Sequence, residues 1–284
     1  MAIITAVEAG RKQNKIAYAV LLIILTFGVA VQFFPMTWMI LGGFKTDTEL
    51  ISAVPKLLPD KWQWKNYIDA FKTYDIGKNV LNTVILCVSI IVIQVGNSAL
   101  SAYSLSKIKP RCGNFVFMFF LSTMMFSGTA LMFPLYILFT KLGLIGNKLA
   151  LILSSSAWAY SIFLFKNFFD GIPGELMEAA EIDGCNKMQS FIKIILPLSK
   201  PVLVVCTMNT FLAVYNDFLY PLMLLPNEKD WTLMIRLYTV DKLGNAPLPI
   251  VYVLLTVATL PVVITYLFAQ KNIAEGVAMT GIKG

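Results

Sequence analysis

Two places in this chain set polar or charged side chains within or between long apolar runs in a way that could do chemistry. The first is Glu178–Pro201, EAAEIDGCNKMQSFIKIILPLSKP, where acids, a turn glycine and an amphipathic stretch lie between two long apolar runs. At 100° per residue Leu176, Ala179 and Ala180 fall on one arc of a helix, and Glu175, Glu178 and Glu181 on the opposite one. A small, nearly flat face beside an acidic stripe suits close docking against a surface carrying arginine or lysine. The second place is Asn209, Asn216 and Asp217, inside an otherwise apolar run. A charged side chain at the centre of a membrane helix costs about 2.5–3.5 kcal/mol on insertion scales, so Asp217 needs a wet or paired environment. These three residues either line a polar pathway or hydrogen-bond within the protein to fix helix packing.

Other chemistries are poorly provided for. There is no histidine, the usual metal ligand and proton shuttle. The cysteines (Cys87, Cys112, Cys185 and Cys206) have no paired short spacing and read as small apolar filler, not as a metal site or disulfide. No G-x-x-x-x-G-K-[ST] phosphate loop occurs, so the chain is not expected to hydrolyse ATP or to bind a cofactor. The net charge of +7 would suggest nucleic-acid binding in a soluble protein. Here the basic residues are spread over loops, and anionic lipid headgroups are the simpler partner.

The elements that must position these residues are membrane helices. Of the 284 residues 57% are apolar and 14% charged, against about 25% charged in ordinary soluble proteins. From Asn79 through Phe169 there is no Asp or Glu. A hydrocarbon core about 30 Å thick needs around 20 apolar residues per helix. Six stretches reach that length: roughly residues 16–41, 80–105, 114–139, 149–168, 202–225 and 248–270. The first follows Arg11, Lys12 and Lys15 but is too long for a signal-peptide core, and it reads as a retained anchor over 16–41. The expected class is an all-α polytopic membrane protein.

Orientation follows from the short, acid-poor basic segments. Residues 1–15 and the Lys107–Lys109–Arg111 turn should be cytoplasmic, and an even number of spans then places the C-terminal tail, 271–284, on the same side. The 42–79 loop, 140–148 and 226–247 fall outside. The 42–79 loop carries six lysines offset by five acids, so the charge rule is not unanimous. Its Trp62, Trp64, Tyr67, Phe71 and Tyr74 suit a short amphipathic element at headgroup level. Gln94, Asn97, Ser98, Ser101 and Ser154–Ser156 read as interhelical packing and hydrogen bonding.

Within the acidic segment, Pro173 suits a first helical position and Gly184 a helix stop in the left-handed region. A second helix should follow, with Met188, Phe191, Ile192 and Ile195 on one arc. Pro197 should end it, and Pro201 should open the fifth span. On composition alone the segment could equally be an amphipathic hairpin lying on the membrane.

The whole pattern goes further. Glu178-Ala179-Ala180, Asp183-Gly184 and Ile194-x-Leu196-Pro197, between the fourth and fifth spans, strongly resemble the EAA loop of permease subunits of binding-protein-dependent ABC importers. Asn216-Asp217-Phe218-Leu219-Tyr220-Pro221 is similar to the Asn-Asp-Phe-x-x-Pro signature of the carbohydrate permeases, with Tyr215 standing where a tryptophan is common. Asn66-Tyr67, Asn82-Thr83 and the closing QKNIAEGVAMTGIKG also fit the maltose-type subunits.

The resemblance implies a type I ABC importer permease, with a permease core over 80–270 and the coupling loop at 170–200. It implies ATPase docking through Glu178, Ala179, Ala180, Asp183, Gly184, Leu196 and Pro197. The partners implied are a second permease subunit in a heterodimer, two cytoplasmic ATPase subunits that use ATP and Mg, and an extracellular solute-binding protein, all at a prokaryotic inner or plasma membrane. A sugar or oligosaccharide would be the cargo, with Asn209, Asn216 and Asp217 facing its hydroxyls. A permease for a polyamine or phosphate, or a lone ion-coupled carrier, are the other readings; a single intramembrane acid and no visible repeat count against the carrier.

Overall fold

The computed structural model describes residues 12–242 and 246–281, with side chains described from 18 to 240 and from 246 to 270. Among the described residues the regular structure is entirely helical. They divide into two compact units: residues up to Thr73 with Gly244–Val257, and Tyr74–Leu243 with the residues from Ala258 onward. The basic N-terminal tail falls largely outside the described residues. Helix α15 (Leu248–Gly281) carries the backbone without a break past residue 270, so the described part of the expected tail is helical.

In the first unit, α1 (Lys12–Gly42) is apolar on all sides and exposed along most of its described length, as expected of a helix made to face lipid or another protein. Pro35 passes inside it. The loop that follows is built on a one-turn helix, α2 (Asp47–Leu50), and the amphipathic α3 (Trp64–Thr73). Phe44 packs against Trp62, Trp64 and Tyr67 with ring centroids 4.6–5.1 Å apart. Asn66 Nδ2 donates to the carbonyls of Gly43 and Lys45. Thr46 and Glu49 form a reciprocal capping box, and Glu49 Oε1 also accepts the Asp60 N–H at 2.7 Å.

The second unit holds α4 (Ile76–Tyr103), prolonged to Ile108 by a π turn, then α5 (Gly113–Thr123), α6 (Gly128–Lys141), α7 (Lys148–Ser154) and α8 (Ala159–Asp170). It continues through α9 (Glu175–Ile182), α10 (Lys187–Ser190), a π turn to Ile195 and α11 (Leu196–Leu198). After these come α12 (Lys200–Asn216), α13 (Leu219–Leu224) and α14 (Leu233–Lys242). Helices α4, α8 and α12 pack on one another. Small residues at their contacts (Ser98, Ala99, Ala102, Ser161, Cys206) let the backbones approach closely. Around this seam Phe165, Phe169, Phe191 and Ile195 form one buried cluster, and Leu86, Ile90, Phe139, Leu151 and Leu224 a second.

Three expected spans are not single rods. By length and composition three helices could cross a membrane: 18–42, 76–108 and 248–270. Residues 114–139 form α5 and α6, bent by 99° at the Met124–Ser127 break; residues 149–168 form α7 and α8, bent by 46°. Residues 202–225 are α12 and α13, interrupted at Asp217–Phe218. The cause is local. Ser127-Gly128, Ser155-Ser156-Ala157 and Asp217 with Pro221 are helix-interrupting groups that hydropathy averages over. The second span also starts earlier than expected, at Ile76, behind Asp75 in the left-handed region at φ 51°.

At the end of α4 that begins at Ile76, three side chains clamp the 226–236 segment. Asn79 Nδ2 donates to Trp231 O, Asn82 Nδ2 to Lys229 O and Trp231 O, and Thr83 Oγ1 accepts the Leu233 N–H, all within 2.9–3.1 Å. Lys148 Nζ donates to Asn82 Oδ1 at 2.7 Å, and Arg236 stacks over Trp231 while pairing with Glu228.

The Glu49 box carries a pH dependence. The Thr46 and Asp60 N–H groups hold the Glu49 carboxyl below its ordinary value. A depressed carboxylate stabilises the fold above the unfolded value and loses that contribution as pH falls through the folded one. Limited proteolysis of the 46–60 loop should therefore accelerate as pH drops into and below the ordinary carboxylate range. Glu49→Gln should be cut faster at neutral pH and show a much weaker pH step; an unchanged pH step in that variant would refute the assignment.

Candidate functional site

The acidic segment grows from the helical core. Helix α9 begins at Glu175, with the Gly174 carbonyl accepting the Met177 and Glu178 N–H groups. Pro173 therefore lies before the helix and not at its first position: the first turn is closed on Gly174. Gly184 ends α9 as expected. At φ 79° its N–H reaches Glu181 O and the Cys185 N–H reaches Ala180 O, the paired bonds of a Schellman cap. Asn186 then caps α10 through a reciprocal box with Gln189.

The expected arcs are redrawn by what each residue packs on. Met177 packs against the first cluster and Ala180 is buried, whereas Leu176 and Ala179 face outward with Glu178 and Glu181. Phe191 and Ile195 are buried and Met188 and Ile192 exposed, because the π turn at 191–195 rotates the helix between them. That turn ends against Pro197, which has no N–H to offer and does not stop the helix. The run continues to Leu198, and the 82° bend into α12 falls at Ser199. Of the expected docking set, Glu178, Ala179, Asp183, Gly184 and Pro197 are exposed, Ala180 is buried and Leu196 half-buried. Ile182, 86% exposed, joins the free face.

The base of the segment is fixed to the bundle by several bonds. Tyr103 O–H donates to Lys187 O at 2.9 Å and its ring lies 5.0 Å from Phe191. Lys107 Nζ donates to Ile172 O, and Asp170 accepts from Ser106 and Lys166 at 2.6–2.7 Å. The segment therefore stands on α4 and α8 as well as on its own chain neighbours.

A second feature is a cleft of about 400 Å³ at the helix breaks. Gly128 opens α6, Ser155 and Trp158 border the gap between α7 and α8, and Asp217 and Tyr220 border the gap between α12 and α13; all line it. Asp217 Oδ1 accepts the N–H groups of Leu219 and Tyr220 at 3.0 and 3.3 Å. Pro221, next in the first turn of α13, has no N–H to satisfy. The Asp-x-x-x-Pro spacing thus builds a helix restart. Tyr220 O–H donates to Gly128 O at 2.6 Å, tying two breaks together, and the Tyr215 O–H donates to Ala258 O at 2.7 Å.

Of the three residues expected to form one polar lining, Asp217 alone lines this cleft. Asn216 is exposed and its Nδ2 returns to Leu212 O at 2.9 Å; Asn209 is half-buried away from the cleft. Gln94, read from sequence as packing, lines it instead, and Trp158 joins it from the α7–α8 gap. The signal that could have located them was the cluster of small and polar residues interrupting each apolar run. Asn97 does serve packing, donating to Ser156 O at 3.0 Å.

The comparisons with known proteins agree with this architecture. Residues 95–278 match the family described as the binding-protein-dependent transport system inner membrane component. The chain belongs to this family. It is an inner-membrane permease component of a binding-protein-dependent ABC importer, a multi-pass protein of the bacterial plasma membrane. It is 32% identical over 268 residues to the polygalacturonan/rhamnogalacturonan transport system permease protein YtcP of Bacillus subtilis, covering 88% of this chain and 92% of that one. It is 29% identical over 248 residues to the diacetylchitobiose uptake system permease protein NgcG of Streptomyces coelicolor, covering 86% and 82%. A chain from the crystal structure of a bacterial ABC transporter involved in the import of the acidic polysaccharide alginate superposes with a TM-score of 0.80. It covers 92% of this permease and 98% of its own length; at 22% identity, that likeness establishes the fold.

The capping role of Asp217 is testable apart from transport. Asp217→Asn and Asp217→Ala both remove the charge, and only the second removes the acceptor. In thermal melts of the purified assembly the Ala variant should be less stable than the Asn variant by about 1 kcal/mol. Equal melting of the two would rule out the cap.

Proposed function

We propose that this permease is one of two transmembrane subunits of an ATP-driven importer for a sugar or oligosaccharide delivered by an extracellular binding protein. The observation that carries the reading is the construction of the 175–198 segment: a free face of carboxylates and apolar side chains on a base embedded in the helical core. A partner that grips that face moves the bundle with it. The carbohydrate assignment is supported by the Asn216–Pro221 signature and by relatives whose names specify saccharide uptake.

In this reading two cytoplasmic ATPase subunits bind ATP and Mg, and one of them docks on Glu178, Ala179, Asp183, Gly184 and Pro197 of this chain, with Ala180 and Leu196 setting the segment against the core. This chain is non-catalytic and binds no cofactor of its own. A second, larger permease completes the pathway. Six crossings result if α1, α4, α5 with α6, α7 with α8, α12 with α13, and α15 each span once, which puts both termini in the cytoplasm. ATPase closure then swings the spans between inward-open and outward-open states. The 226–247 segment faces the binding protein, and Asp217, with Asn209 and Asn216 nearby in sequence, contributes polarity to the pathway.

Gly184→Pro cannot adopt φ near 79°, because proline is locked near −65°. Glu178→Lys replaces one of the carboxylates of the free face with a cation. Each should lower both uptake and binding-protein-stimulated ATPase activity by roughly tenfold or more, the usual span of a coupling energy, while the subunits remain in the membrane. Full stimulated ATPase activity and uptake in either variant would overturn the docking assignment.

A further inference from the structure

Irregular backbone at membrane depth is tolerated only where protein covers it or where it lines a polar cavity. Here three helix interruptions open onto a single cleft, at Gly128, at Ser155–Trp158 and at Asp217–Tyr220. Gln94 projects into the same cleft from within α4. It is 6% exposed, and its Oε1 is buried without a hydrogen-bond partner, an acceptor the fold leaves unsatisfied. Asp217 Oδ1 is committed to two backbone N–H groups, and Oδ2 has no hydrogen-bond partner among the described residues. Ser154 and Ser155 line the same wall, and their hydroxyls can both donate and accept. Trp158 adds a large aromatic surface and Tyr220 a second.

We propose that this cleft is a saccharide subsite contributed by this chain itself, and that it selects neutral pyranose units over uronic acids. Trp158 offers the flat apolar platform on which the C–H face of a sugar ring packs. Gln94 and Asp217 on this lining carry the acceptors for ring hydroxyls, and the serine hydroxyls complete the rim. The cleft volume of about 400 Å³ is within the usual range of small-molecule sites.

Selectivity follows from charge. No lysine or arginine lines the cleft among the described residues, and its one ionisable acid is Asp217. A carboxylated sugar would meet a like charge with no cation to offset it, in surroundings where water screens weakly. A polyamine would bring several cations to one carboxylate. A neutral, hydroxyl-rich ring satisfies the acceptors and leaves no charge unpaired.

This subsite rests on the importer reading, and one preparation tests both. The assembled complex, in lipid nanodiscs and without binding protein, is titrated with a neutral trisaccharide, maltotriose, and with trigalacturonate, with binding read by equilibrium dialysis. Maltotriose should bind saturably, and trigalacturonate roughly tenfold more weakly or worse. Trp158→Ala should weaken maltotriose by about tenfold, Trp158→Phe by much less, and Gln94→Leu should also weaken it. Asp217→Asn keeps the capping acceptor and should narrow the gap between the two sugars. Co-elution of all subunits identifies variants that still assemble, and Trp158→Phe with Asp217→Asn decides the matter if the others do not. Equal binding of the two sugars, binding of neither, or indifference to the assembled variants overturns the subsite. ATP-driven uptake by the same wild-type complex in proteoliposomes separates the two ideas. Its absence for any saccharide removes the importer reading and the subsite with it, while normal uptake with insensitive variants removes the subsite alone.

Discussion

The structure depends on how a backbone that leaves the helix inside a membrane has its polar groups satisfied. Lipid offers no hydrogen bonds, so each interruption needs a side chain, a neighbouring helix or water in place of the lost helical partner. At the α12–α13 gap the side chain is Asp217 and the residue that asks for nothing is Pro221. At the α5–α6 gap Tyr220, which belongs to the restarted helix, adds a tie by donating to the Gly128 carbonyl in the first turn of α6. The two gaps therefore hold one another, and the cleft lies where they meet. Continuous helices through the same residues would close it.

The proposed docking role sets a mechanical condition on the 175–198 end of the α4–α8–α12 bundle. A lever transmits force only if it does not hinge where it joins the load. The 175–198 segment is joined through buried rings, Phe191 against Tyr103 and the Phe165–Phe169 pair, and through the bond of Tyr103 to Lys187 O, while Lys107 holds Ile172 O just ahead of it. Its acids and Ile182, Met188 and Ile192 are left exposed. The tight places along it are where a small residue is required. Gly184 alone takes the left-handed turn there, and Ala180 fits under the bundle with only 3% of its surface exposed. A larger side chain at Ala180 would have to push α9 off the core before it reached any partner.

Much of this was legible in the residues. The apolar runs located the helices, and the amphipathic aromatic element after α1 appears as α3. Gly184 stops its helix by the conformation its type predicts. What was not legible came from competing local terms. A hydropathy window sums apolar content and is blind to backbone direction, so the 99° turn between α5 and α6 reads as one span. The arc of Met188, Phe191, Ile192 and Ile195 assumes 3.6 residues per turn, and the π turn before Pro197 breaks that assumption. Asn216 and Asp217 are neighbours in sequence, but the helix ends between them. One side chain returns to its own helix and the other caps the next, and their shared polarity does not become a shared lining.

Capping alone does not account for the charge on Asp217. An N-terminal cap contributes about 1 kcal/mol, and an asparagine oxygen in the same place would accept the same two N–H groups. An ionised carboxylate in a membrane helix costs about 2.5–3.5 kcal/mol, more than the cap returns. Asp217 lines a cleft wide enough to hold water or a polar solute, and solvation there offsets that cost. Gln94 on the facing helix presents the same circumstance in neutral form: a buried acceptor that the fold itself does not satisfy. Two such residues on one cleft, beside two aromatic side chains and at the meeting of three broken helices, are the polarity on which the proposed subsite rests.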